Sequence, residues 1–324
     1  MPERNLNEAI VCIPSHRRPE GLRRTLDSLA EQRTGIRFAV VVIDNDAAGR
    51  EAVEVAGTFF ATSGIEGLVA VEPQQGNCHA INAAFGLARR HYPEARYFLM
   101  IDDDEAASPD WLERMVGTAK LHGADIVGGP VDRVFEGEVD EAIRVHPLFG
   151  SIEAPTGPVP IIHGSGNCLI SRRVFETLDE PQFDLRFNFL GGGDMDFFTR
   201  CRQAGFAFAW CAEAKVTEFV ATGRLSARWL MSRSIRTGTI NYTMDRKRAE
   251  GVPQRLALAG KNVVSLALSV GRMARLWVRT GRLLPATHPP LMSIGRIMGA
   301  LGIVPTPYKS AARARPAEPS HAQT

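Results

Sequence analysis

The chain contains 324 residues, of which 44 % are hydrophobic and 23 % charged, and its formal net charge is +2. This composition allows one large or two modest domains with a sizeable core, and it excludes a disordered protein. The five cysteines are odd in number and lie far apart in apolar stretches, which predicts buried thiols rather than a disulfide framework or a zinc site. The first residues do not resemble a secretory signal, so we expect a cytoplasmic protein.

The charge is distributed unevenly along the chain. Residues 251–324 contain ten basic side chains and one acidic side chain, a formal charge of +9, so residues 1–250 carry −7. This asymmetry predicts two functional parts.

Predicted strands and helices alternate over the first hundred residues. In chain order we predict a strand at AIVCIPS, a helix at PEGLRRTLDSLAEQ, a strand at RFAVVVIDND, a helix near residues 50–62, a strand at GLVAVEP, a helix at NCHAINAAFGLARR and a strand at RYFLMI. This alternation predicts an α/β fold with a largely parallel, right-handed wound sheet. Ligands of such sheets bind beyond the carboxyl ends of the strands, near the point where strand order reverses.

Acidic residues follow two of these strands. Asp44 and Asp46 end the second strand, and residues 102–105 read DDDE after the fourth. Carboxylates this close repel one another unless a cation neutralises them. Because Mg²⁺ and Mn²⁺ combine one or two carboxylates with phosphate oxygens, an Asp-x-Asp pair predicts a holder for a metal-diphosphate complex. The alternative is that these acids are solvated loop residues near the positive end of a following helix.

A second acidic motif lies in FNFLGGGDMDFFTRCRQAGF, where Asp194 and Asp196 follow three glycines at the start of a predicted helix. An acid at a helix N-terminus is stabilised there while it faces a cleft, so Asp194 is a candidate general base. An ordinary helix cap is the alternative.

Six sequence blocks together resemble family 2 glycosyltransferases with the GT-A fold. They are IPSHRRPEGLRRTLDSL, VVVIDND, GNCHAINAAFGLAR, FLMIDDDEAASPDWLERM, GSGNCLISRRVFE and GGGDMDFFTRCRQAGF. The chain is most similar to bacterial exopolysaccharide enzymes of the succinoglycan-biosynthesis type, in which IDDDE is followed by a later block of Glu, Arg and Arg-Trp residues. That later block is found here at Glu218, Arg224, Arg228-Trp229, Arg233, Arg236 and Gly238. The resemblance covers roughly residues 8–240.

The resemblance implies roles for individual residues. Asp44 would meet a uracil-type base, Asp104 would ligate the metal directly, and Asp102 would lie nearer the ribose or a metal-bound water. The implied cofactor is Mn²⁺ or Mg²⁺, and the implied general base is Asp194. The implied donor-binding residues are Pro14, Arg17, Asp44, Asp46, Asn77, Asp102 and Asp103.

The resemblance also implies contacts with the acceptor or the diphosphate. The residues concerned are Asn167, Gly193, Asp196, Arg228 and Trp229. Gly193 replaces the glutamate of the family's Glu-Asp pair, a departure that leaves Asp194 in place and affects acceptor positioning. Leu225 stands where processive synthases carry the glutamine of Gln-x-x-Arg-Trp, which favours addition of a single sugar.

The implied activity is inverting, metal-dependent transfer of a hexose from a nucleotide sugar, UDP-linked at the family level, to a saccharide or polyprenyl-diphosphate-linked acceptor. The implied process is exopolysaccharide or cell-envelope glycan synthesis. One alternative is a sugar nucleotidyltransferase, although PSHRRPEG lacks the glycine-rich loop expected after its first strand. The other is a nucleotide-binding scaffold of the same fold that has lost turnover.

The basic C-terminal part is predicted to be helical. Arg272, Arg275, Arg279 and Arg282 recur every three or four residues among aliphatic side chains, which is typical of an amphipathic helix at an anionic membrane surface. The segment LMSIGRIMGALGIVP is a second candidate for membrane contact, and packing of both helices on the catalytic domain is the alternative. No nucleic-acid recognition motif is present, so we expect no such partner.

These patterns predict three regions. Residues 1–245 would form the catalytic domain, with a nucleotide-binding half near 8–125 and an acceptor half near 126–245. Residues 246–308 would form the basic amphipathic region at the inner face of the plasma membrane, and residues 309–324 a disordered tail.

Overall fold

The structure is a computed structural model that describes residues 6–305, so the predicted tail at 309–324 lies outside the described residues. Its first half alternates strands and helices as predicted. The elements are β1 (Ala9–Ser15), α1 (Pro19–Ala30), β2 (Phe38–Asp44), α2 (Glu51–Ser63), β3 (Gly67–Val71), α3 (Asn77–His91) and β4 (Tyr97–Ile101).

The middle of the chain is formed by shorter elements. They are β5 (Glu105–Ala107), α4 (Trp111–His122), β6 (Ile126–Gly128), β7 (Val131–Phe135), α5 (Glu141–Arg144), β8 (Gly157–Val159), β9 (Asn167–Ser171), α6 (Arg172–Thr177), α7 (Gly193–Gln203), β10 (Phe208–Trp210) and β11 (Val216–Val220).

Eight of these strands form the central sheet, in the order β3-β2-β1-β4-β9-β6-β10-β8. Strands β1 to β4 are mutually parallel, whereas β9 runs antiparallel to both β4 and β6. Strand order reverses between β1 and β4, so their carboxyl ends, Ser15 and Ile101, open the crevice in which doubly wound sheets bind ligands. The predicted α/β fold with a mostly parallel central sheet is confirmed.

The core lies on both faces of this sheet. Along β2, Val41 and Ile43 pack into one cluster and Val40 and Val42 into the other. The nearly continuous apolar run of β2 therefore reflects burial on two sides. All five cysteines are buried and free, as predicted.

A second sheet of three strands, in the order β5-β11-β7, carries a further charged side chain to the ligand crevice. The register places Glu218 of β11 opposite Glu105 of β5 and Arg133 of β7. The Phe219 N–H also donates to the Asp104 carbonyl at 2.9 Å. Residues more than 100 positions apart in sequence thus meet at one edge of the crevice.

The C-terminal extension is helical. It consists of α8 (Ala227–Arg248), α9 (Gly251–Thr280), α10 (Leu283–Ala286) and α11 (His288–Ala300). Helix α8 passes through the predicted boundary at residue 245 without a break. No helix within residues 6–305 is long and apolar enough to cross a membrane.

Helix α11 contains most of the second segment considered for membrane contact, and the structure packs it tightly on α8. A Cβ on Gly295 would lie 1.8 Å from the Ile235 carbonyl oxygen, and one on Gly238 would lie 1.9 Å from that of Met292. Only glycine allows the two backbones to approach so closely. The small residues of this segment therefore serve a helix-helix contact, and its contact with a membrane stays a prediction.

Candidate active site

A cleft of about 270 Å³ opens beyond the carboxyl ends of β1 and β4. We call it the acidic cleft, because carboxylates from the turn after β4 and from β11 line it. Its lining residues are Pro14, Ser15, His16, Arg18, Asn45, Gln75, Gly76, Asn77, Ala80, Asp102, Asp103, Asp104, Glu218 and Arg224. The predicted residues Pro14, Asn77, Asp102, Asp103 and Asp104 are therefore brought together.

Asp103 joins the turn after β4 to the loop after β1. Its Oδ2 accepts hydrogen bonds from Ser15 Oγ at 2.9 Å and from the His16 N–H at 3.1 Å, and its Oδ1 accepts one from Arg18 at 3.0 Å. The side chain is only 7 % exposed. With its acceptor sites occupied by this loop, Asp103 shapes the cleft.

Asp104 is held by two arginines from different parts of the chain. Its Oδ2 accepts from Arg18 at 2.6 Å and from Arg224 at 3.2 Å. Arg224 also donates to Glu218 Oε1 at 2.8 Å, and Arg133 donates to Glu218 Oε2 at 2.9 Å. The network places guanidinium groups beside the carboxylates, where they can also reach a bound phosphate.

Asp102 has a different environment. Within residues 6–305 its carboxylate accepts no hydrogen bond, although its backbone N–H donates to Glu105 Oε2 at 2.9 Å. Burial, together with the charges of Asp104, Asp103 and Glu218, raises the pKa of Asp102 to about 8. Burial and the Asp102 charge also raise the pKa of Glu105 well above its usual range. Burial and the neighbouring carboxylates thus raise both pKa values more than the arginines lower them.

The donor set of the acidic cleft fits a hard divalent cation. Four carboxylates line the cleft (Asp102, Asp103, Asp104 and Glu218) together with two guanidinium groups (Arg18 and Arg224), which leaves a formal excess of two negative charges when all are ionised. Residues 6–305 offer no group of three or more His, Cys, Asp or Glu side chains that could hold a metal ion alone. Phosphate oxygens of a ligand would complete the coordination of Mg²⁺ or Mn²⁺.

Asp194 lies in the first turn of α7. Burial raises the pKa of its carboxyl group, and the backbone N–H groups of Met195 and Asp194 together with the charges of Arg233 and His163 oppose that shift. Asp102 and Asp194 both raise the pKa of Cys168 on β9, so the two carboxylates lie within electrostatic reach of the same thiol. A carboxylate of raised pKa near the cleft is suited to accept a proton.

The structure corrects the predicted role of Asp44. Its Oδ1 accepts from the Asp46 N–H at 2.9 Å, and its Oδ2 accepts from the N–H groups of Ala52 at 2.9 Å and Val53 at 3.2 Å. The residue is 1 % exposed, and its oxygens satisfy backbone donors at the start of α2. Asp44 therefore holds α2 in place, and both of its oxygens are already occupied by backbone donors.

Arg17 and Asp46 form an ion pair of 2.7 Å beside the acidic cleft, and neither lines it. The hydrogen bond and the charge of Arg17 lower the pKa of Asp46. Arg17 has φ +55°, an uncommon backbone conformation for a non-glycine residue. The pair fixes the loop after β1, so these two residues support the cleft from outside.

Two predicted acceptor contacts are structural. Asn167 is buried, with its Oδ1 accepting from Trp111 Nε1 at 2.8 Å and its Nδ2 donating to the carbonyls of Pro130 and Ala214. Asp196 is 2 % exposed and pairs with Arg200 at 2.8 Å and Lys247 at 2.6 Å. Both predictions are corrected, because these polar groups already have partners in the interior.

Arg228 and Trp229 lie at the start of α8, outside the lining of the acidic cleft. Trp229 donates its N–H to the capping Ser226 Oγ, and its ring stacks on Phe149 with centroids 6.2 Å apart. Arg228 is exposed. Their role in acceptor binding stays a prediction.

Sequence reasoning missed several cleft residues. His16, Arg18, Asn45 and Gln75 line the cleft, and the Asn45 side chain accepts from the Gly76 N–H at 2.7 Å while donating to the carbonyls of Glu72 and Gln74. The available signal was position, because His16 and Arg18 follow the carboxyl end of β1 and Asn45 follows that of β2. The sequence predictions at those ends named Pro14, Arg17, Asp44 and Asp46 but not these neighbours.

Gly193 leaves no room for the family's glutamate. A Cβ at this position would lie 2.8 Å from Cys78 Sγ and 3.4 Å from the Phe183 ring. We expect Gly193→Glu to lower the free energy of unfolding by about 1–3 kcal/mol, because it overpacks this contact. Urea denaturation should show the loss, and Cys78→Ala should relieve part of it. Gly117→Glu is the matched control, since no atom lies within 4 Å of that Cβ; equal losses in both variants would contradict the overpacking.

The sequence comparisons agree with the geometry. The model of Glycosyl transferase family 2 matches residues 10–179, just over half of the chain. The chain therefore belongs to glycosyl transferase family 2 and is a glycosyltransferase. It is 32 % identical over 275 residues to the succinoglycan biosynthesis protein ExoM of Rhizobium meliloti (strain 1021), a match that covers 80 % of this chain and 82 % of ExoM.

Solved structures share the fold. The mannosyltransferase PcManGT from Pyrobaculum calidifontis, solved with GDP-Man and Mn²⁺, aligns with a TM-score of 0.58 at 16 % identity and covers 92 % of this chain and 88 % of its own. S. aureus TarS 1–349 in complex with UDP-GlcNAc aligns with a TM-score of 0.53 at 12 % identity, and the alignment covers 91 % of this chain and 92 % of the TarS chain. These likenesses confirm the GT-A fold.

Proposed function

We propose that the protein is an inverting, metal-dependent glycosyltransferase. It moves a hexose from a nucleotide sugar, UDP-linked, to a saccharide or polyprenyl-diphosphate-linked acceptor in exopolysaccharide or cell-envelope glycan synthesis. The observation that carries the proposal is the acidic cleft at the strand-order reversal, where Asp102 lacks a hydrogen-bond donor within residues 6–305 and arginines flank the carboxylates. ExoM, named for succinoglycan biosynthesis, supports the process, and the nucleotide sugars bound to PcManGT and TarS support the donor class.

In the proposed mechanism Asp194 accepts the proton of the acceptor hydroxyl, which attacks the anomeric carbon from the face opposite the diphosphate. The raised pKa of Asp194 makes it a stronger base than an exposed aspartate. Arg18 and Arg224 donate to the departing diphosphate and stabilise its charge. A divalent cation held by Asp102 and Asp104 would neutralise the same charge. The sugar inverts its anomeric configuration in this single displacement.

The proposal places the protein at the inner face of the plasma membrane. The exposed arginines of α9 and of the turn after it, Arg272, Arg275, Arg279 and Arg282, supply the positive charge that draws a protein to anionic lipids. Helix α9 would lie on the membrane surface, since charges interrupt its apolar face. Addition of one sugar per acceptor is supported by Leu225, which occupies the place of the processive motif's glutamine.

The test is release of nucleoside diphosphate from a panel of sugar nucleotides with Mn²⁺, Mg²⁺ or EDTA and a membrane lipid extract as acceptor. We expect one donor to be consumed only with a divalent cation. We expect Asp104→Ala to weaken donor use by at least about tenfold, because the cation loses a ligand. Asp110→Ala is the control, since Asp110 is exposed at the start of α4.

Other results of this assay would indicate a different function or mechanism. Release of pyrophosphate in place of nucleoside diphosphate would identify a nucleotidyltransferase. Nucleotide binding without turnover would identify an inactive scaffold. If turnover in EDTA, and turnover by Asp104→Ala, both equal that of the wild type with a divalent cation, the metal has no part in the mechanism. NMR of the product shows whether the anomeric configuration is inverted.

A further inference from the structure

Helix α9 directs small polar side chains toward α11 and large apolar side chains outward. The hydroxyl groups of Ser265 and of Ser293 on α11 form a hydrogen bond, and Asn262 Oδ1 accepts one from Arg296 of α11 at 2.9 Å. Ser269 is only 1 % exposed. The exposed apolar residues of α9 include Val252, Leu256, Val263, Val264, Leu266, Leu268, Val270, Trp277 and Val278. A surface of this kind marks an interaction site rather than an ordinary solvent-facing helix.

A groove of about 420 Å³ lies beside this surface, between α9, α11 and α8. Positions 261, 265, 268 and 272 share one face of α9, and positions 289, 292, 293 and 296 share one face of α11. The groove is lined by Asn241, Lys261, Val264, Ser265, Leu268, Arg272, Pro289, Met292, Ser293 and Arg296. It therefore combines cations, hydroxyl groups and apolar side chains.

The cations of the groove outnumber its neighbouring acid. Asp245 accepts from Lys261 at 2.8 Å and from Arg296 at 2.8 Å. Arg272 is exposed and has no ion pair within residues 6–305. Together these three cations and Asp245 carry a formal charge of +2, and Arg272 is open to a ligand. Such a charge fits a phosphate group.

We propose that this groove binds the phosphate headgroup of an anionic membrane lipid, with the lipid chains along Val264 and Leu268. Those two side chains are 56 % and 52 % exposed, and they line the same groove as Arg272. This inference gives the proposed membrane contact a defined site, and it does not depend on the transfer reaction.

The charges and apolar side chains of the groove favour an anionic lipid over a second copy of this chain or a free phosphate ion. Residues 251–305 contain no acidic side chain, so a second copy of this region would bring like charges together. A free phosphate ion would leave Val264 and Leu268 without a partner. An anionic lipid satisfies the cations and covers the apolar side chains at the same time.

The test uses the full chain and dihexanoyl phosphatidylglycerol below its micelle concentration, measured by calorimetry at about 0.1 M salt. We expect saturable binding of one lipid per chain. Arg272→Gln should weaken it at least about tenfold, because it removes a charged hydrogen bond to the phosphate. Arg255→Gln is the matched control, because Arg255 is exposed on the same helix about 25 Å from Arg272, where salt screens its charge. Thermal melting confirms that both variants are folded.

Two control ligands test whether the groove recognises the phosphate and the lipid chains together. Inorganic phosphate and dihexanoyl phosphatidylcholine should each bind at least about tenfold more weakly. Equal losses in Arg272→Gln and Arg255→Gln would overturn the groove as a site, as would equal affinity for inorganic phosphate or for phosphatidylcholine. Binding to phosphatidylglycerol vesicles without binding of the short-chain lipid would also overturn it, while leaving the general membrane contact intact. Leu268→Ser is a second variant, which should weaken binding of the short-chain lipid and leave binding of inorganic phosphate unchanged.

Discussion

Asp194→Asn is expected to reduce sugar transfer by about 10²–10⁴-fold and to leave donor affinity unchanged. The substitution keeps the size of the side chain and removes the only group that α7 offers as a base within its first turn besides the buried Asp196. Single-turnover transfer measures the rate, and nucleotide titration measures the affinity. Donor affinity should hold because Asp194 lies outside the lining of the acidic cleft.

The pH profile of the wild type adds a second readout. Because burial raises the pKa of Asp194, the carboxyl group stays protonated, and inactive as a base, to a higher pH than an exposed aspartate would. With the divalent cation at saturating concentration, which keeps Asp102 ionised, transfer should therefore rise with pH through the raised pKa of Asp194. The rise should be absent from the residual activity of Asp194→Asn. A variant with normal transfer, or with the same rising limb, would remove Asp194 from the role of base.

Asp196→Asn, two residues away, is expected to reduce the free energy of unfolding by about 3–5 kcal/mol, because it removes a buried carboxylate that pairs with two half-buried cations. Its carboxylate is 3 % exposed between Arg200 and Lys247, and Lys247 also pairs with Asp184 at 2.8 Å. Urea denaturation measures the loss. Transfer per folded molecule should change little.

The double variant with Lys247→Met supplies the control. The double variant also removes Lys247, the cation that loses its contact with Asp196. Its loss of unfolding free energy should therefore be smaller than the sum of the losses in the two single variants. Additive losses would show that the Lys247 contact carries little energy. A drop in transfer by Asp196→Asn at full stability would return Asp196 to the acceptor site.

Local pattern accounts for the framework of the fold. The apolar runs of β1, β2 and β4 are nearly continuous because the central sheet is covered on both faces, and the parallel pairing of β4 with β1 brings their carboxyl ends together. The acids after β4 were therefore found from the sequence. Their residue type and position together were sufficient.

Long-range partners account for the errors. Asp44 and Asp103 are the same residue type near the ends of the two strands that flank β1, yet Asp44 satisfies the N–H groups of α2 whereas Asp103 lines the cleft. Spacing along the chain does not reveal which acid finds a backbone donor. The partner of Asp196 is Lys247, 51 residues away, and the register of β11 that carries Glu218 to Glu105 is likewise set by tertiary pairing.

The buried thiols have a practical consequence for work on this enzyme. Burial, with the charge of Asp194 close by, raises the pKa of Cys78 to about 12, and burial raises that of Cys201 to about 12 as well. Maleimides and iodoacetamide react with thiolates, so the five native cysteines will resist alkylation while the chain is folded. A cysteine introduced at an exposed position such as Val278 would be labelled selectively with a fluorophore or spin probe. No native cysteine needs to be removed first.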